Sequence, residues 1–357
     1  MDVAIIGTGH NGLITAYYLA KQGLDVHLFE KRDFTGGATL TEELWPGYKF
    51  STCAHLLHLF HPRILNDLDL VKRGLEVLPR SKKNLHMKSH NTYWGLPEDN
   101  SPRNLLSNSN LSKEERKSIE KYETFKATLR KASSPYRLKL PPTMDQIRAD
   151  LGSDQLVLDQ AMNSTMKDLR DHFFPSQLLK DFYADEAAPV NRNPSALFLA
   201  YASMASPDDE TGELPANGYV KGGLGALAAI LTEAAIEAGA TVHTGKAVEK
   251  IMVEGKKAVG IRLEDGTEIR SRIVVSNLDP KTTFLKILPE DSVDPDIKQR
   301  IGALRTNVSC YKLLAAVSEL PQWEAWDGDP IEPSRGGVRL NVSEAEISAS
   351  YDSLEAG

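Results

Sequence analysis

The sequence predicts an α/β fold whose first domain is split in two, and three observations carry that prediction. Residues 3–29 read as a strand, a glycine loop, an apolar-periodic helix and a second strand. Short apolar strands punctuated by glycine turns return after residue 240. Between these stretches lies a polar, helix-rich segment that reads as an insertion. A length of 357 residues allows about two domains, each large enough to bury a core.

The opening unit, "VAIIGTGHNGLITAYYLAKQGLDVHLFEKR", assigns a task to each glycine. Gly7 permits the tight turn after the strand, Gly9 lets backbone approach a pyrophosphate, and Gly12 allows close helix–strand packing. The helix N-terminus, at His10 and Asn11, offers N–H groups and a partial positive charge to phosphate. Glu30, at the tip of the second strand, suits the hydroxyls of an adenosine ribose and repels a 2′-phosphate, which disfavours NADP. These features predict a Rossmann-like, dinucleotide-binding unit. Lys31 follows the acid, and Gly36-Gly37 then provide a second close backbone approach, suited to a long cofactor threaded beneath the loop.

Further along, "LSKEERKSIEKYETFKATLRKA" opens with a capping box, Ser112 to Glu115, and reads as a long exposed helix. Helices are expected around 154–173 and 176–187, broken by Pro189 and Pro194, and an acidic loop at 205–218. "HMKSHNTYWGL" reads as a strand pair. A helix near 223–238 precedes the strands "TVHT", "AVEKIMVE", "AVGIRLE", "EIRS" and "IVVSN", with hairpin turns at Glu254-Gly255-Lys256-Lys257 and Asp265-Gly266.

Composition narrows the chemistry. A net charge of −7 gives nothing to neutralise a phosphate backbone, so no nucleic-acid partner is expected. No apolar run reaches the roughly 18 residues of a membrane span. Cys53 and Cys310 are far apart, which argues against a dithiol centre, a zinc site or a disulfide framework. His55, His58 and His61 recur at intervals of three, and on a helix they would fan across one side. With no acid or cysteine beside them they read as pocket-lining or core residues, with a proton relay as the functional reading and no metal expected. No nucleophile elbow or Ser/His/Asp spacing occurs, so catalytic residues cannot be named from sequence.

The segments "GTGHNGL", "EKRDFTGGATLTEE", "PGYKFS", "FFPSQLLKDFYAD", "GYVKGGLGALAAIL" and "LEDGTEIRSRIVVSNLDPKTTFLK" resemble the phytoene-desaturase-like branch of the FAD-dependent amine-oxidase superfamily. The resemblance implies FAD as cofactor and a split FAD/NAD(P)-binding Rossmann-like domain with an inserted α+β substrate domain. It implies domain segments of 1–70 and 211–287 for the cofactor, and 71–210 and 288–357 for the substrate. It places the backbone of Val248 against the adenine, and Asn277, Asp279 and Pro280 at a strand end near the cofactor. The implied activity moves hydride between a substrate C–H and flavin N5, with oxygen, a quinone or NAD(P) as the other redox partner. The substrate would be a small, hydrophobic molecule. A second reading stays open: a non-catalytic flavin-fold protein acting through protein partners, such as a regulator of mitochondrial function. The first strand begins at Val3, so no leader is expected and the location is intracellular, either the mitochondrial matrix by resemblance or the cytoplasm. Members of this branch continue to a second glycine-rich segment that has no match here, so a chain shortened at its C-terminus is expected.

Overall fold

The computed structural model describes residues 1–57, 60–79, 85–89, 92–95, 104–107, 110–136, 138–186, 193–199, 218–304, 306, 312–326, 328–329, 331–340 and 343–356. The chain divides into two compact units. Unit 1 comprises Met1–Pro79, Asp209–Asn307 and Tyr311–Ala316, and unit 2 comprises Arg80–Asp208, Val308–Cys310 and Val317–Gly357.

Unit 1 is built on a four-stranded parallel sheet. Strand β1 (Val3–Ile6) lies between Ile273–Ser276 and strand β2 (Val26–Phe29), and Thr241–His243 flanks β2. All three pairings are parallel. Parallel strands are covered on both faces, so β1 reads as an unbroken apolar run, and its alternation sorts the residues between two cores. Val3 and Ile5 join a core with helix α1 (His10–Lys21) and the helix Leu224–Glu237. Ala4 and Ile6 join a second core with Phe29, Ile251, Ile261 and Leu263. The cover on that second face is an antiparallel meander, Val248–Glu254, Lys257–Leu263 and Glu268–Arg270. Its turns fall at the expected hairpins, with Gly255 and Gly266 both at positive φ.

Residues 288–304, expected with the substrate segments, lie in unit 1. Ile287 is buried in the second core and Leu288 packs against it, which carries the chain past the expected boundary before it leaves.

Unit 2 gathers the helices Lys113–Ser133, Met144–Leu151, Gln155–Asn163, Met166–Phe173 and Gln177–Phe182. Its main core joins Trp94, Tyr122, Phe125, Leu129, Met166, Leu169 and Phe174. The expected capping box is present: Ser112 Oγ accepts from Glu115 N while Ser112 N donates to Glu115 Oε2. The single helix expected over 154–173 is two, because Thr165 caps a new helix with its own box to Asp168. The expected strand pair appears as Leu85–Met87 against Tyr93–Trp94, with Val338–Leu340 added in parallel. Pro189, Cys310 and most of the acidic loop, 205–217, lie outside the described residues.

Candidate dinucleotide site

The β1–α1 turn is held by absence of side chains. Gly7 sits at φ +91°, a conformation that favours glycine. A Cβ on Gly12 would lie 2.4 Å from the Gly7 carbonyl oxygen, so any larger residue would push helix from strand. Asn277, at the end of Ile273–Ser276, fills the space beside the loop. A Cβ on Gly9 would meet its Nδ2 at 2.9 Å, and one on Gly12 would meet it at 3.1 Å. Gly9 therefore leaves room for Asn277 as well as for backbone approach.

The second glycine pair clasps the first. Gly36 N donates to Thr8 O at 3.0 Å, and Gly9 and Gly36 form a parallel bridge. Gly37, at φ +58°, approaches so closely that an added Cβ would stand 2.9 Å from Gly9 Cα. Gly36, at φ +118°, would strike Ala228 of the helix Leu224–Glu237.

Glu30 is buried at 8% exposure, at the C-terminal end of β2. Its Oε2 accepts from Thr8 N (3.0 Å) and Thr8 Oγ1 (2.8 Å), and Oε1 accepts from Arg32 N (3.1 Å). A carboxylate has about four accepting positions, so one remains on Oε1. The expectation that Glu30 receives both ribose hydroxyls thus requires Thr8 Oγ1 to turn away. Thr8 is a residue that sequence reasoning missed; its signal is its place between two glycines, opposite the strand that ends in the acid. Lys31 is exposed. Gly245 N donates to Arg32 O and Lys246 N to Glu30 O, so residues 245–246 run beside the acid. The Val248 side chain packs on the second core.

At the start of α1, Gly9 is the N-cap and supplies no side-chain bond. The N–H groups of Asn11 and Gly12 have no partner among the described residues, while that of His10 faces Gly36 O across the bridge. The helix Leu224–Glu237 differs. Its Leu224 N donates to Ser51 Oγ (3.0 Å) and its Gly225 N to Thr41 Oγ1 (2.9 Å).

A cavity of about 250 Å³ opens beside the free end of α1. His10, Asn11, Thr39 and His61 supply its polar lining, and Ile14, Leu57, Phe60, Ile64, Leu224 and Leu227 the apolar part. Burial holds His10 below the ordinary imidazole range, and so neutral near pH 7. The histidine segment is not helical as far as it is described. Leu57 pairs with Gly218, and the helix Pro62–Asp67 begins only after His61, whose Nδ1 accepts from Arg63 N at 3.1 Å. That bond leaves the proton of the neutral ring on Nε2. Pro62 cannot continue a preceding helix, which explains the break. His55 is exposed and does not line the cavity, and His58 lies outside the described residues. No cluster of three or more metal-ligating side chains occurs among the described residues. Lys312, also missed from sequence, donates from Nζ to Ser51 O (2.5 Å) and Cys53 O (2.9 Å), which pins the segment leading to the cavity.

On the far side of Glu30, Asp25, His27 and His243 form a chain across neighbouring strands. His27 Nε2 lies 3.0 Å from Asp25 Oδ1, and His27 Nδ1 lies 2.9 Å from His243 Nε2. Glu30 N donates to His243 O, so this chain adjoins the acid.

A family profile described as an NAD(P)-binding Rossmann-like domain matches residues 5–69. The chain is similar to pyridine nucleotide-disulfide oxidoreductase domain-containing protein 2 of Mus musculus, at 30% identity over 96% of this chain and 64% of that protein. It is 26% identical to one component of the limonene dehydrogenase of Castellaniella defragrans, over 92% of this chain and 62% of the relative. The chain thus spans a little under two thirds of the length of these relatives. Among solved structures, an oxidoreductase from Methanosarcina mazei shares the fold with a TM-score of 0.58 at 18% identity, covering 85% of this chain and 66% of its own. No described helix is long and apolar enough to cross a membrane.

Proposed function

We propose that unit 1 binds FAD and that the protein is an oxidoreductase acting on a small, hydrophobic substrate. The observation that carries the reading is the open N-terminus of α1. The N–H groups of Asn11 and Gly12, without a partner among the described residues, face a glycine turn with no room for side chains, and an anion such as a pyrophosphate satisfies them. The residues present fit the group. Gly7, Gly9, His10, Asn11 and Gly12 would take the pyrophosphate, Glu30 and Lys31 the adenosine ribose, Val248 the adenine, and Gly36-Gly37 the stretch that follows. FAD, when bound, would supply the redox chemistry, a hydride transfer to or from a substrate carbon.

The protein's own part is to bind, orient and exclude water. Leu57, Phe60, Ile64, Leu224 and Leu227 make an apolar wall that favours a hydrocarbon-like substrate. The relative named for limonene dehydrogenase supports that substrate class. His10 stays neutral, so it adds no charge beside the pyrophosphate. His61 accepts at Nδ1, so its neutral ring carries the proton on Nε2.

Calorimetry with FAD, NADH and NADPH, together with the visible spectrum of the purified protein, tests the reading. FAD should bind tightest, and flavin bands should bleach with an oxidisable hydrophobic substrate. Tighter binding of NADPH than of FAD would overturn it.

A further inference from the structure

On the meander side of unit 1, away from the glycine turn, lies an open groove of about 630 Å³. Its charge is out of keeping with the chain. The protein carries −7 overall, yet Lys250, Arg262, Lys286 and Lys298 face this groove against only Glu249 and Glu290. Both carboxylates are already used. Glu249 holds Arg262 in a two-point pair at 2.8 and 3.1 Å, and Glu290 holds Lys298 at 2.9 Å. Among the described residues Lys250 and Lys286 make no ion pair, although Asp279 lies close enough to Lys286 to feel its charge.

The wall opposite the meander is apolar and has an unusual backbone. Thr283–Ile287 form a π-helical turn, closed by Leu288 N donating to Thr283 O at 3.1 Å. Such turns are uncommon and cluster at functional sites, because the extra residue redirects side chains that a regular helix would point elsewhere. Here the turn places Phe284, Leu285 and Lys286 together in the lining. Leu285 stays 40% exposed although an apolar core lies beside it. The volume falls within the range of small-molecule sites, roughly 300–1,000 Å³.

We propose that this groove binds an organic phosphate, a dianionic head attached to an aromatic or aliphatic body. The head sits between Lys250 and Lys286, with Arg262 and Lys298 held in place behind it by their glutamates. The body lies on Phe284 and Leu285. A phosphomonoester carries close to two negative charges at neutral pH, which matches two lysines that make no ion pair among the described residues. The site is separate from the dinucleotide turn, so the ligand is a second molecule and not part of the cofactor.

The probe is 1-naphthyl phosphate, followed by fluorescence and by amide chemical shifts. Inorganic phosphate and 1-naphthol serve as the two halves of the ligand. The protein is first saturated with FAD, which occupies the α1 N-terminus. The expected result is one-to-one binding that persists in FAD, weakens at least tenfold in K250Q/K286Q, and exceeds the binding of either half. Shifts should centre on Lys250, Phe284 and Lys286. Both lysines are exposed, and an unchanged Tm would show that the variant is folded. Vesicles of phosphatidic acid against phosphatidylcholine separate the sources: lysine-dependent sedimentation identifies a lipid headgroup, and binding of the soluble probe alone identifies a metabolite. Absence of binding, binding equal in the double variant, or displacement by FAD would overturn the proposal.

Discussion

Unit 1 contains two apolar helices that each follow a glycine-rich turn, and their N-termini are treated in opposite ways. The helix Leu224–Glu237 follows Gly222-Gly223, and its first N–H groups are taken by Ser51 and Thr41 hydroxyls from elsewhere in the chain. The helix α1 follows Gly7-Thr8-Gly9, and its first three N–H groups meet no side chain among the described residues. Each end carries about half a positive charge from the helix dipole. In the first helix that field is spent inside the protein, and the helix serves as a wall for α1 and the sheet. In the second, no side chain among the described residues takes it up. A glycine-rich turn before a helix therefore does not define a binding site by itself. Whether the protein's own hydroxyls reach the helix end decides it.

The largest effect should come from closing the open end. Gly12→Val places a Cβ against the Gly7 carbonyl and pushes α1 from the loop. We expect a stability loss of about 1–3 kcal/mol, as for other overpacked sites, and FAD binding beyond detection by calorimetry. Ordinary FAD affinity in this variant would mean that close approach at Gly12 is not what makes the site. Next in size is Glu30→Ala, which removes the acceptor for Thr8 N, Thr8 Oγ1 and Arg32 N together with the ribose contact. FAD should weaken by roughly 1–3 kcal/mol, the range for hydrogen bonds to a charged group, and Tm should fall as the buried Thr8 N–H loses its partner. Glu30→Gln separates the two roles, since the amide keeps the shape and loses the charge.

The comparison sharpens with the capped helix. Thr41→Val and Ser51→Ala each remove one hydroxyl from the N-terminus of Leu224–Glu237. The expected cost is about 0.5–2 kcal/mol of stability, the usual worth of such a cap. FAD affinity should stay within about twofold, as expected when a change lies outside the ligand's own contacts. A large loss of affinity at either position would show that the two helix ends are not independent.

Much of the fold was legible because its signals are local. The apolar run of Val3 to Ile6, the helix from His10, and the turns at Gly255 and Gly266 follow from a short buried strand, helix period and positive φ. The glycines and Glu30 were legible for the same reason, since all lie within one strand–helix–strand unit. What could not be read depends on partners distant in sequence. Thr41 and Ser51 are nearly two hundred residues from the helix they cap. Asn277 reaches Gly9 and Gly12 only because Ile273–Ser276 pairs with β1. The histidine segment misled through its spacing: intervals of three suggest a helix, but Pro62 starts a new one, and His61 becomes its cap.

The smallest effect concerns pH, and it arises on the other side of Glu30 from the glycine turn. The glycine clasp has no titratable part, whereas the strand Thr241–His243 is tied to β2 through Asp25, His27 and His243. His27 Nε2 stands within hydrogen-bond reach of Asp25, and either ring can donate across the contact between His27 Nδ1 and His243 Nε2. Burial, then the neighbouring His27 and Lys246, hold His243 below the ordinary imidazole range, as burial does His10. In the unfolded chain both return to about 6.5. Above that value neither state is protonated and the histidines do not affect stability. As pH falls through it, the unfolded chain takes up protons that the folded chain resists, so stability declines with acidification. His243→Phe keeps a ring against Phe29 and removes the titration. Its Tm, followed from pH 8 to pH 5 beside that of the unaltered protein, should fall less steeply. Parallel curves would show that the histidine chain bears no part of the pH dependence, and that the two sides of Glu30 are held by equally pH-insensitive means.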